Sequence, residues 1–76
     1  MIKIKLVLIG YLKYKYLSDA IEISCNEPIK IYQILKNAKI SLVEGIIAEV
    51  EGSIVDKKYI IKQSCVIKLF PIVGGG

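Results

Sequence analysis

The chain has 76 residues, of which 54% are apolar, 24% charged and 8% aromatic; this is the range of one small globular domain and leaves no room for a second. A domain this short buries only about 60–65% of its unfolded surface, so its apolar side chains must serve one core, and a deep catalytic cavity is disfavoured. Eleven lysines against seven acids give a net charge of +4, with no arginine and no histidine, which removes the bidentate phosphate fork, the usual general base and the commonest metal ligand.

From Met1 to Ile9 the residues alternate, placing Ile2, Ile4, Leu6 and Leu8 on one face and Lys3 and Lys5 on the other, the period of a half-buried strand. Val7 and Ile9 make its far end apolar on both faces, and Gly10 allows a turn. Residues 11–18 interleave tyrosines with lysines and read as a long connection. The next strand, Ala20 to Cys25, sets Ile21, Ile23 and Cys25 on one face, giving an antiparallel hairpin with the first. Asn26-Glu27-Pro28 reads as a helix start: Asn caps, Glu complements the positive end of the dipole, and Pro is tolerated in the first turn. Ile31, Ile34, Leu35 and Ala38 then form an apolar stripe at helical spacing, predicting a helix of about three turns that ends near Asn37 to Lys39.

Ser41 to Gly45 link to a second hairpin. Ile46, Ala48 and Val50 alternate with Ile47, Glu49 and Glu51, Gly52-Ser53 turns the chain, and Ile54-Val55 returns. Tyr59-Ile60-Ile61 is a short strand, and Cys65 to Phe70 is the last, with Cys65, Ile67 and Leu69 on one face and Val66, Lys68 and Phe70 on the other. Two hairpins bracketing one helix are most simply closed by a final strand lying parallel to the first in the middle of a mixed sheet. The predicted class is α+β, a ubiquitin-like β-grasp with a mixed four- to five-stranded sheet and one helix on one face.

Cys25 and Cys65 are too few for a disulfide framework, and without histidine or short spacing they cannot form a zinc site; both read as reduced residues of the core. No signal-peptide pattern opens the chain, and the longest apolar run, Leu6 to Leu12, is too short to cross a bilayer. The expected location is cytoplasmic, with no membrane partner.

Residues 1–70 are expected to form the domain and 71–76 a flexible C-terminal tail. Pro71 lacks an N–H and is expected to stop the ladder, leaving an arm that reaches roughly 20 Å at ~3.3 Å per residue. Gly74-Gly75-Gly76 carries no side chain, so it fits a channel too narrow for any Cβ, at an ordering cost of ~1–2 kcal/mol per residue. A terminal carboxylate with a pKa near ~3.5 is ionised and resists nucleophiles; chemistry there requires activation, for which attachment of AMP would supply a leaving group. A glycine-rich terminus can equally be a frayed end or a cloning remnant, although here it follows directly on a Pro-terminated strand.

The run from Gly45 to Gly76 resembles the C-terminal half of the ubiquitin-like sulfur carriers of the MoaD/ThiS family, at Gly52, Ile54, Val55, Pro71, Val73, Gly75 and Gly76. It departs from them in Ser64-Cys65, where a Gly-Asp pair is frequent, and in Gly74, where Ala or Ser is common. The resemblance implies a carrier protein, not an enzyme, with no bound cofactor. A ubiquitin-activating-like adenylyltransferase would use ATP to adenylate the Gly76 carboxylate, and a thiocarboxylate would form there. A synthase resembling thiazole synthase or the large subunit of molybdopterin synthase would accept the sulfur. Phe70, Pro71, Val73, Gly74 and Gly75 would meet these partners, Phe70 either as a docking anchor or packed on a neighbouring loop. Use as a protein modifier, or as an interaction module whose end is never activated, are the alternatives. The segment with Tyr11, Lys13, Tyr14, Lys15 and Tyr16 could stack on bases, but scattered lysines without arginine give weak, salt-sensitive binding, and no nucleic-acid partner is expected.

Overall fold

The computed structural model describes residues 1–41 and 45–72. Its main sheet has five strands in the order β2-β1-β7-β4-β5: β1 (Ile2–Leu8), β2 (Ala20–Cys25), β4 (Ile46–Val50), β5 (Ser53–Val55) and β7 (Cys65–Pro71). Two short strands, β3 (Ile29–Lys30) and β6 (Ile60–Ile61), pair separately. The first and last strands are parallel, in register Leu6 with Ile67 and Leu8 with Leu69; every other pairing is antiparallel. This is the β-grasp expected from the element order, with the central pair as predicted.

The alternation in β1 buries Ile2, Ile4, Leu6 and Leu8, and β7 adds Ile67 and Leu69 to the same face. Helix α2 (Ile31–Asn37) lays Ile31, Ile34 and Leu35 into this cluster, with Ala38 packed against it. Each of these fully buried aliphatic side chains contributes about 1.5–3 kcal/mol relative to exposure, which is why a domain of this size holds together without disulfides. Cys25 and Cys65 are free and half-buried at the margin of the core.

Two helical expectations are corrected. Asn26-Glu27-Pro28 does not start the helix, which begins at Ile31 and makes two turns instead of three. Ile29 and Lys30 are first drawn into pairing with Ile61 and Ile60. The N–H groups of Ile31 and Tyr32 then donate to the carbonyls of Tyr59 and Lys57, at 3.0 and 2.9 Å. Orphan donors of the first turn are thus satisfied by carbonyls of the turn and connection that precede β6, Lys57 and Tyr59, so no capping side chain at Asn26 is needed.

The connection after β1 also contains an element: α1 (Leu12–Lys15), a single turn pinned by the fully buried Leu12. It closes on a 6→1 bond, Ser18 N–H to the Lys13 carbonyl at 3.0 Å, with Leu17 in the left-handed region at φ 54°. This is a Schellman ending with leucine in the position usually held by glycine. At the β4–β5 hairpin, where Val50 faces Ser53, both loop residues have positive φ, Glu51 at 51° and Gly52 at 82°, the signature of a primed two-residue turn.

Candidate functional site

The site begins where β7 leaves the sheet. On one side β7 follows β1 until the Ile9 N–H donates to the Leu69 carbonyl at 3.0 Å. The next donor of a parallel ladder would be the N–H of residue 71, and Pro71 has none. On its other side β7 continues: Pro71 lies opposite Ile46, and the Ile72 N–H donates to the Gly45 carbonyl at 2.8 Å. Pro71 therefore ends pairing with β1 alone, correcting the expectation that it stops the ladder outright, and the strand is held through Ile72.

Two glycines make this ending fit. Gly10, at φ +65°, would bring an added Cβ to 3.3 Å from Pro71 Cγ, and a Cβ on Gly45 would lie 3.1 Å from Ile72 Cβ. The chain thus packs a proline ring and an isoleucine against bare backbone at the root of the tail.

On the sheet face away from α2, Phe70 lies opposite Ile47 on β4, and the parallel register brings Ile9 alongside. All three are half-buried, an apolar row across the end of the sheet at which Pro71 and Ile72 lie. Further down this face Lys68 stands opposite Glu49 and Lys5 opposite Glu22; such cross-strand pairs of opposite charge are mildly stabilising. Phe70 has the outward phase expected of it, and it is part of a row of three. Ile9 and Ile47 were legible as apolar residues on the outer phase but gain meaning only once the register aligns them.

Val73, Gly74, Gly75 and Gly76 lie outside the described residues. Among the described residues there is no group of three or more His, Cys, Asp or Glu that could hold a metal ion, and no helix is long and apolar enough to cross a membrane. The Cys65 thiol is pushed above its ordinary pKa, first by burial and second by the nearby Glu51 carboxylate. It is therefore held protonated and is a poor nucleophile near neutrality.

A mixed five-stranded sheet with parallel first and last strands at its centre and a helix packed on one face is the ubiquitin-like β-grasp fold. The family model described as the ThiS family matches residues 11–76. The chain is a member of the ThiS family.

Solved structures agree on the fold. A molybdopterin converting factor, subunit 1, from Pyrococcus furiosus superposes with a TM-score of 0.78 at 19% identity, covering 96% of this chain and 100% of that one. SAMP1 from Haloferax volcanii gives 0.77 at 18% identity, over 97% and 99% of the two chains. The thiamine biosynthesis protein ThiS from Geobacter metallireducens gives 0.58 at 16%, over 95% and 99%. No curated protein matches the chain.

Proposed function

We propose that the chain is a sulfur carrier whose reactive group is the main-chain carboxylate of Gly76. The observation that carries the reading is the family match, which runs through the terminal glycines to residue 76. In the first step a carboxylate oxygen attacks the α-phosphorus of ATP, the bond to the β-phosphate oxygen breaks, and pyrophosphate leaves. Hydrosulfide then attacks the acyl carbon of the adenylate. The C–O bond to AMP breaks, AMP departs with its electron pair, one proton is released, and a thiocarboxylate remains. No oxidant or reductant is consumed. The chemistry belongs to an ATP-dependent activating enzyme, and the carrier contributes a shaped handle and an end without side chains.

Family members work with activating enzymes and with synthases that accept sulfur. The apolar row of Ile9, Ile47 and Phe70 supplies a surface for either, beside the tail rooted at Pro71 and Ile72. Partly exposed apolar groups clustered on a sheet face are the usual cores of such contacts.

Intact-mass measurement after incubation with ATP, sulfide and the activating enzyme of the same genome tests the reading. Replacement of one oxygen by sulfur, lost on deletion of Gly76, is expected. An unchanged mass with an enzyme preparation proven active on another substrate refutes it.

A further inference from the structure

Leucine 17 occupies a conformation that suits it poorly, and no burial compensates. It sits at the left-handed closing position of α1, φ 54°, where a Cβ is crowded and glycine is the usual residue. Its side chain is 90% exposed. A leucine that carries backbone strain and contributes nothing to the core is a local inconsistency of the kind found at functional positions.

Its surroundings are rigid. Leu12 is fully buried, the half-buried Tyr16 accepts a hydrogen bond at its hydroxyl from the Ser41 N–H at 3.1 Å, and the Ser18 hydroxyl donates to the Ala20 carbonyl at 2.7 Å. From this pinned turn Tyr11, Tyr14 and Leu17 project at 49%, 73% and 90% exposure. Lys13 and Lys15 stand among them, and Lys13 Nζ lies 5.9 Å from the centre of the Tyr14 ring. No acid occurs between residues 11 and 18, whereas on the sheet face Lys5 and Lys68 stand opposite Glu22 and Glu49. The knob is apolar at its tip and positively charged around it.

Its position couples it to the tail. Because β1 and β7 are parallel, the residues following both strands emerge at one end of the sheet, and the Gly10 backbone abuts the Pro71 ring. A protein that engages the end of β7 therefore has the knob at its margin.

We propose that α1 and Leu17 form a second docking element, whose occupant is a carboxylate-rimmed apolar cup on the adenylating enzyme that receives the chain end. This rests on the carrier reading for the identity of the partner. The charge of Lys13 and Lys15 selects acids, and the leucine tip selects an apolar depression. A nucleic acid would satisfy the lysines and leave the leucine without a counterpart.

The test uses the full chain and the adenylating enzyme of the same genome, with binding measured by calorimetry in the absence of ATP. Leu17→Gly relieves the backbone strain, so its Tm is expected to be unchanged or higher while Kd rises by at least about tenfold, the behaviour of an anchor residue. Leu17→Asn, which tolerates the same φ, is expected to weaken binding similarly. Lys13→Glu is expected to weaken it by about threefold or more at low salt and to flatten the salt dependence. Kd within about twofold of wild type for both Leu17 variants overturns the proposal, as does a fall in Tm that accompanies the loss, or the absence of any binding by the wild-type chain. Loss of binding to labelled single-stranded RNA with enzyme affinity retained would assign the knob to nucleic acid instead. ATP–pyrophosphate exchange on the wild-type chain tests the carrier reading separately: exchange with unchanged variant affinities sinks only the knob.

Discussion

Gly10→Ala probes the junction between the first turn and the root of the tail. Gly10 sits at φ +65°, and a Cβ there would lie 3.3 Å from Pro71 Cγ and 3.5 Å from Cδ. The left-handed conformation costs an L-residue roughly 1–2 kcal/mol. The contact with the proline ring requires a shift of a few tenths of an ångström, which ring pucker absorbs in part. Against these costs stands the lower entropy of the unfolded alanine chain, about 0.4–1 kcal/mol. The backbone cost less the entropy gain leaves a destabilisation of roughly 0–1.6 kcal/mol, to which the contact with Pro71 adds, and each kcal/mol lowers Tm by roughly 4–8 °C in a domain of this size. Gly52→Ala is the control: its φ is +82°, but nothing lies within 4 Å of the added Cβ, so only the backbone cost remains. Thermal denaturation followed by circular dichroism ranks the two. A Gly10→Ala variant that melts no lower than Gly52→Ala would refute the inference that Pro71 is seated against bare backbone.

Two further outcomes follow from the same geometry. Gly45→Ala places a Cβ 3.1 Å from Ile72 Cβ and is expected to loosen the 2.8 Å bond between the Ile72 N–H and the Gly45 carbonyl; the loss of roughly 0.5–1.5 kcal/mol is read as faster amide exchange at Ile72, and unchanged exchange would contradict the account. Because the Cys65 thiol is raised by burial and by Glu51, the unfolded chain loses that proton first as pH rises. Its contribution to stability is therefore complete below about pH 8.5, the ordinary thiol value, and falls through the alkaline range. In a Cys25→Ser background, alkylation of Cys65 is expected to need a higher pH than free cysteine, and Glu51→Gln to bring the midpoint only part of the way back.

Much of this architecture was legible because period 2 and period 3.6 are written plainly in the chain. Alternating Ile2, Ile4, Leu6 and Leu8 could form a strand with only one face to bury, and the stripe of Ile31, Ile34 and Leu35 could pack only as a helix. What escaped is what periodicity cannot encode. A single turn such as α1 has one buried residue, Leu12, and one residue defines no stripe. The displaced start of α2 depends on carbonyls of Tyr59 and Lys57, more than twenty residues away in sequence, that replace the capping side chain Asn26 could have offered. Likewise Phe70 shows its outward phase in sequence, but the row it makes with Ile9 and Ile47 exists only through the register of β1, β7 and β4. The glycine end is a sequence feature throughout, and Gly10 and Gly45 join its support only when the fold brings them to Pro71 and Ile72.

The placement of β7 between β1 and β4 has a mechanical consequence. A pull applied to Ile72 along the axis of β7 meets hydrogen bonds to its two neighbours that lie across that axis. The load is shared among many rungs in shear instead of peeling them one after another. Traction by a partner gripping this end is therefore transmitted to the whole body, and the domain is dragged along as a unit before it unravels.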